Sequence, residues 1–199
     1  MKKPLIIITA PSGSGKTTIA RHLLSVDQRL EFSVSACTRP PRPTEKEGRD
    51  YYFMSPETFR KKIEEGAFAE YEMVYADKYY GTPLAGLERI WNSGKVPLLD
   101  IDIQGARSLK KRYGADCHTI FIKLSSSALR EARLRSRGTE TPEMLRERIN
   151  RKAEQEVSEK EFDRVLVNDD LDHAKKAAEG MVDDFLREHA SGTWASPNY

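Results

Sequence analysis

Leu5-Ile6-Ile7-Ile8-Thr9-Ala10-Pro11-Ser12-Gly13-Ser14-Gly15-Lys16-Thr17-Thr18 is the stretch on which the reading of this chain turns. Its first five residues are apolar or β-branched, as in a short strand buried on both faces. Its last residues open an amphipathic segment, Thr17–Leu24, with Ile19, Leu23 and Leu24 on one side. Between them lies a glycine-rich turn. Residues 10–17 follow the phosphate-loop pattern with one departure, Ala10 in place of the first glycine. Gly13 and Gly15 let the backbone turn its N–H groups inward around phosphate oxygens. Lys16 supplies positive charge to the β- and γ-phosphates. Thr17 offers a hydroxyl to a metal ion, and the helix that follows points its N-terminus at the same anion.

Strand and helix patterns alternate along the 199 residues, enough for one domain with a sizeable core. This alternation predicts an α/β fold with a largely parallel sheet. Further strands are expected at Phe32–Ala36, Asp50–Phe53, Phe68–Val74, Lys78–Gly81, Val96–Ile101, His118–Leu124 and Arg164–Val167. Helices are expected after Ser55-Pro56, over Thr82–Ser93, Gln104–Tyr113, Ser125–Arg137 and Pro142–Glu156, and from the turn Asn168-Asp169-Asp170 to about His189. Residues 190–199 read as a loose tail. Residues from about 37 to 82 form an aromatic and polar insertion, stiffened by three prolines within Pro40–Pro43.

Composition narrows the function. A net charge of +2 with 32% charged residues fits a soluble globular protein and gives no field for wrapping a nucleic acid. No apolar run approaches the roughly 20 residues of a membrane span. Cys37 and Cys117 have no metal-ligand spacing and do not suggest a disulfide framework, so a reduced, cytoplasmic setting is expected.

Val96-Pro97-Leu98-Leu99-Asp100-Ile101-Asp102 is a buried strand ending in acids, the position from which a phosphate-loop enzyme holds Mg²⁺ or its waters. Asp100 and Asp102 lie two apart and so share a side, and capping of the next helix is the competing use for them. Arg39 and Arg42 sit on the proline-stiffened loop. Their guanidinium forks match phosphate oxygens, and Tyr51 and Tyr80 add hydroxyl donors. From Arg130 to Arg151 there are seven arginines against four acids. Such a run is ordinarily a solvated face, but arginine in place of lysine throughout favours phosphate recognition.

The runs Phe32-Ser33-Val34-Ser35, Thr38-Arg39-x-Pro41-Arg42, Gly48-Arg49-Asp50-Tyr51, Tyr79-Tyr80-Gly81-Thr82, Leu99-Asp100-Ile101-Asp102, Arg137-Gly138-Thr139-Glu140 and Val167-Asn168-Asp169-Asp170 together resemble guanylate kinase, in order and spacing, to about residue 185. The resemblance implies a phosphate-loop NTPase-type parallel sheet flanked by helices, with a small mixed α/β nucleotide-binding insertion and a helical lid. It divides residues 1–189 into a core (1–36, 83–124 and 157–189), a GMP-binding insertion (about 37–82) and a lid (about 125–156). It implies Mg²⁺-dependent phosphoryl transfer from ATP to GMP, with these nucleotides as partners and neither nucleic acid nor membrane. Monomer and homo-oligomer both stay open.

By matched position, Ala10, Pro11, Ser12, Gly13, Ser14, Gly15, Lys16, Thr17, Thr18 and Asn168 would bind ATP. Asn168 would contact adenine, although a turn-forming asparagine is the simpler reading. Arg39, Arg42, Tyr51 and Tyr80 would hold the GMP phosphate, and Ser35, Glu70 and Thr82 would read guanine. Asp100 and Asp102 would also belong to the GMP-binding site, and Thr17 and Asp100 would hold the metal. Lys16, Arg133, Arg137 and Arg148 would be catalytic. On its own Glu70 reads as a solvated strand residue, and only the resemblance reverses that. A non-catalytic binding module of the same fold would be expected to lack Lys16 or the lid arginines. A kinase with another acceptor would not need Glu70 and Ser35.

Overall fold

The computed structural model describes residues 3–75, 78–136 and 157–190. Five parallel strands form the main sheet: β1 (Leu5–Thr9), β2 (Leu30–Phe32), β7 (Val96–Asp100), β8 (Cys117–Lys123) and β9 (Arg164–Val167), in the order β2-β7-β1-β8-β9. All five residues of β1 are buried, because helices cover both faces. Ile6 and Ile8 point to one layer, with Ile19 and Leu23 of α1 (Lys16–Val26) and Ala178, Val182 and Phe185 of α6 (Leu171–Ala190). Leu5 and Ile7 point to the other, with Leu87 of α3 (Leu84–Asn92) and Ile103, Ala106 and Leu109 of α4 (Ile103–Tyr113). The period-2 alternation of one short strand thus feeds two cores.

The chain order across the sheet reverses at β1. From β1 the chain crosses to β2 on one side, returns to β7, then passes over β1 to β8. The crevice outside the carboxyl ends of strands at such a reversal is where open α/β sheets bind ligands. Here the glycine loop that follows β1 occupies it.

A second, four-stranded sheet is built from residues 36–83. Its order is β4 (Tyr52–Phe53), β3 (Ala36–Cys37), β6 (Lys78–Pro83), β5 (Phe68–Tyr75). Helix α2 (Pro56–Glu64) packs on one side, capped by the Ser55 hydroxyl, which accepts from the Thr58 N–H at 3.1 Å. Phe59 is its single fully buried residue, stacked on Phe68 at 4.4 Å and Tyr79 at 5.3 Å between ring centroids.

Three local expectations differ from what forms. The strand expected over Phe32–Ala36 is two strands in different sheets. The Ser33 N–H still bonds Leu98 O at 3.0 Å, while the Ser35 carbonyl already accepts from the Tyr52 N–H at 2.9 Å. The chain therefore changes sheets between them. Asp50 lies in a turn and not in a strand, its carboxylate accepting from the Lys46 N–H at 2.9 Å. Helix α3 starts at Leu84 because Thr82 and Pro83 are used by β6. The helix expected over Pro142–Glu156 lies outside the described residues.

Because Phe59 is the fully buried aromatic at the centre of the small core it forms with Ala36 and Phe68, Phe59→Ala is expected to cost about 3–5 kcal/mol. Equilibrium denaturation in urea, followed by tryptophan and far-UV signals, checks this.

Candidate active site

The carboxyl ends of β1 and β7 and the inner face of the second sheet enclose one cleft of about 260 Å³. On the core side it is lined by Pro11 through Thr17 and by Asp100, Ile101 and Asp102. The insertion side contributes Ser35, Arg39, Arg42, Tyr51, Glu70, Glu72, Tyr80 and Gly81.

The loop takes its shape from two glycines, Gly13 and Gly15, each at φ 90°. Gly15 is also the N-cap of α1 and brings no side chain to its first turn. The N–H groups there are left for an anion. Register places Asp100 beside Ile8, the penultimate residue of β1 and two residues before the loop. One Asp100 oxygen meets Lys16 Nζ at 2.6 Å, and the other accepts from Thr17 Oγ1 at 2.7 Å. Lys16 Nζ also donates to Ile101 O at 3.2 Å. Asp102 is the N-cap of α4, its Oδ1 accepting from the Gly105 N–H at 2.9 Å, and it lines the cleft as well. The two acids therefore have separate duties, one towards the loop and one towards a helix.

Across the cleft, Arg39 is held by Glu45, by Tyr51 and by Pro40 O, to which Nη1 donates at 3.0 Å. Its Nη1 and Nη2 each donate to a Glu45 oxygen at 2.6 Å, and its guanidinium lies over the Tyr51 ring at 4.8 Å. Arg42 is half-exposed, its guanidinium 3.8 Å from the same carboxylate. Burial, with the Asp100 charge nearby, pushes the Tyr51 hydroxyl up to about 12, so it stays a proton donor. Tyr51 and Tyr80 meet edge to face at 6.2 Å.

Glu70 is only 8% exposed. Its Oε1 accepts from Thr82 Oγ1 at 2.6 Å, the cross-strand partner in β6. Burial pushes its carboxyl up to about 7; the Thr82 hydrogen bond opposes this, and the charges of Asp102 and Glu72 add to it. Thr82 touches the site only through Glu70.

The other expected residues lie further back. Ala10 is buried in the core, and Thr18 is exposed on the first turn of α1. Asn168 is fully buried behind the loop, its Nδ2 donating to Ser14 O at 2.7 Å. Arg133, on α5 (Ser127–Ser136), donates through Nη1 to Asn168 O at 3.0 Å and through Nη2 to Asp169 O at 3.2 Å. Arg137 and Arg148, with most of the expected lid, lie outside the described residues.

Sequence reasoning missed three contributors. Glu72 faces the cleft two residues from Glu70 on the same strand, a period-2 signal that would have found it. Glu45, three residues beyond Arg42, is the anchor of Arg39. Gly105 leaves room for the Glu70 carboxylate, since a Cβ there would stand 2.9 Å from Oε2. No local pattern marks that glycine, because the contact joins distant segments.

A glycine loop, a lysine and a hydroxyl tied to a strand-end acid, facing arginines and a buried acid in one cleft, define a kinase of the phosphate-loop class acting on a small acceptor. The family model described as Guanylate kinase matches residues 1–185, and the chain belongs to that family. It is 45% identical to the guanylate kinase of Bacteroides thetaiotaomicron over 189 residues, covering 94% of this chain and 92% of that protein. It is 48% identical to the one from Porphyromonas gingivalis over 169 residues, covering 84% and 89%. The crystal structure of guanylate kinase from Anaplasma phagocytophilum superposes with a TM-score of 0.68 at 30% identity, covering 94% of this chain and 86% of that one.

An unfolded glutamate titrates near ~4.3, so between there and about 7 the folded chain holds a proton at Glu70 that the unfolded chain has lost. Stability of the nucleotide-free protein is expected to fall as pH rises through that window. Denaturation midpoints against pH measure this, and Glu70→Gln should flatten that part of the profile.

Proposed function

We propose that this chain transfers the γ-phosphoryl group of ATP to GMP, giving ADP and GDP, as a member of the family to which it belongs. The observation that carries the reading is the single cleft that joins Lys16 and Thr17 to Arg39 and Glu70. ATP would lie with its phosphates on residues 11–17. GMP would lie opposite, with its phosphate towards Arg39, Arg42, Tyr51 and Tyr80 and its base towards Ser35, Glu70 and Thr82.

Guanine suits this arrangement chemically. It presents N1–H and N2–H donors on one edge, and a carboxylate accepts both at once. Adenine lacks the pair and would leave a buried acid unsatisfied, which is costly. A raised Glu70 pKa fits the same role. With its carboxyl raised to about 7, the acid is easily protonated near neutral pH and would be drawn into its ionised form by two donors.

The acceptor phosphate is already a nucleophile, so no strong general base is needed. The work left to the protein is positioning and charge stabilisation. Loop N–H groups and Lys16 would hold the donor, and Arg39 and Arg42 would aim the acceptor. Arg133, with Arg137 and Arg148 of the proposed lid, would add charge over the transferring group and help exclude water.

The donor set also suits Mg²⁺. Thr17 and Asp100 offer hard oxygens 2.7 Å apart, a small protein contribution of the kind that leaves room for waters and phosphate oxygens. When bound there, the ion would supply neutralisation of phosphate charge. Among the described residues no helix is long and apolar enough to cross a membrane. Cys37 and Cys117 are buried free thiols, which supports a cytoplasmic setting for the activity.

The direct test is ADP release with GMP, AMP, CMP and UMP as acceptors. Turnover with GMP above the others is expected, and turnover with none would leave only a binding module. Lys16→Ala should lower kcat by roughly 10²–10³-fold with the fold retained by circular dichroism. Glu70→Ala should reduce the preference for GMP over AMP by about 10–100-fold in kcat/KM while changing phosphate binding less. Unchanged selectivity would remove Glu70 from base recognition.

A further inference from the structure

Asn168 belongs to the last strand's exit and not to the loop, yet its side chain is fully buried against the loop. Nδ2 donates to Ser14 O at 2.7 Å across 154 positions of sequence. The loop is shaped around it: a Cβ on Gly15 would overlap the Asn168 amide. Asn168 is itself fixed at both backbone groups. Its N–H donates to Lys123 O at 2.9 Å, and its carbonyl accepts from Arg133 Nη1 at 3.0 Å. Its Oδ1 is buried without a hydrogen-bond partner among the described residues, so the amide is held through its donor.

The direction of that hydrogen bond matters. In a planar trans peptide the C=O of one residue and the N–H of the next point in opposite directions. Holding the Ser14 carbonyl back against Asn168 therefore turns the Gly15 N–H forward, away from Asn168 and towards the cleft that Ser14, Gly15 and Lys16 line. With Gly15 at φ 90°, this peptide has little steric resistance to rotation and needs an external restraint.

We propose that Asn168 is a positioning residue for the triphosphate cradle: its side chain locks the Ser14–Gly15 peptide with the N–H facing the phosphates. This rests on the donor-site reading of the loop. It differs from a contact of Asn168 with the adenine base, because the restraint acts on phosphate alone.

The test uses inorganic tripolyphosphate, which has no base, alongside ATP and GMP. Wild-type turnover of ATP with GMP is measured first, so that failure of the kinase reading is seen separately. Asn168→Ala removes the donor, and Asn168→Leu removes it while keeping bulk and neutrality. Both are expected to weaken tripolyphosphate binding by roughly tenfold in calorimetry, the range of one lost hydrogen bond with its partner left buried, while GMP binding stays within twofold. A merely structural role would lower both affinities together, or neither. Loss of ATP binding with tripolyphosphate unchanged would assign Asn168 to the base and overturn the proposal, as would parallel loss of GMP. Should neither variant fold, the wild type decides by amide NMR. The Gly15 N–H should move strongly on adding tripolyphosphate, and a resonance that stays in place would overturn the proposal.

Discussion

One carboxylate organises the loop side of the cleft. Asp100 reaches Lys16 with one oxygen and Thr17 with the other, at 2.6 and 2.7 Å. It can do so only because β1 and β7 are parallel neighbours in a register that brings Ile8 level with Asp100. The glycine loop then starts from the height at which the acid ends. The pair is partly exposed, with side chains at 24% and 11%, so attraction and desolvation largely offset one another. The benefit is geometric: a flexible lysine and a rotatable hydroxyl are held at the mouth of the loop before any ligand arrives.

The insertion side of the cleft depends on a different constraint, the close approach of α4 to β5. Arg112 Nη1 donates to Ala69 O at 2.9 Å, and Gly105 lets the helix backbone come within reach of the Glu70 carboxylate. The second sheet is thereby tied to the core next to Glu70, which lines the cleft. Asp102, capping the same helix, adds negative charge beside Glu70. The cap that starts α4 thus also tunes the acid across from it.

Four of the five strands of the main sheet were legible because they are short, largely apolar or β-branched and bounded by turn chemistry. β1 and β9 have the expected bounds, and β7 and β8 match within a residue at each end. The loop was legible for the same reason, since its glycines, lysine and threonine are contiguous. Near Ser33 the reading failed because a continuous β-like run does not reveal a change of sheet, which is decided by pairing with Leu98 on one side and Tyr52 on the other. Contacts across long separations were hidden altogether. Glu70 carries no local sign of burial, and Asn168 in a polar turn gives no hint that its amide faces Ser14, so only the family resemblance drew attention to either.

The distribution of charge in the cleft shows why these pieces sit together. Lys16, Arg39 and Arg42 lie towards the loop and the proline-stiffened segment, while Glu70, Glu72 and Asp102 gather where α4 meets β5. Arg39 gives two of its five donors to Glu45 and a third to Pro40 O and rests a face on Tyr51, so its fork has lost its freedom already and keeps two donors for an anion. A nucleoside monophosphate has the matching polarity, an anion at one end and, for guanine, a pair of N–H donors at the other. An adenine base turned towards Glu70 would meet acids without offering that pair. On the proposed reading, selectivity would follow from the same charge separation that would orient the acceptor phosphate towards Lys16, so recognition of the base and alignment for transfer would be one arrangement.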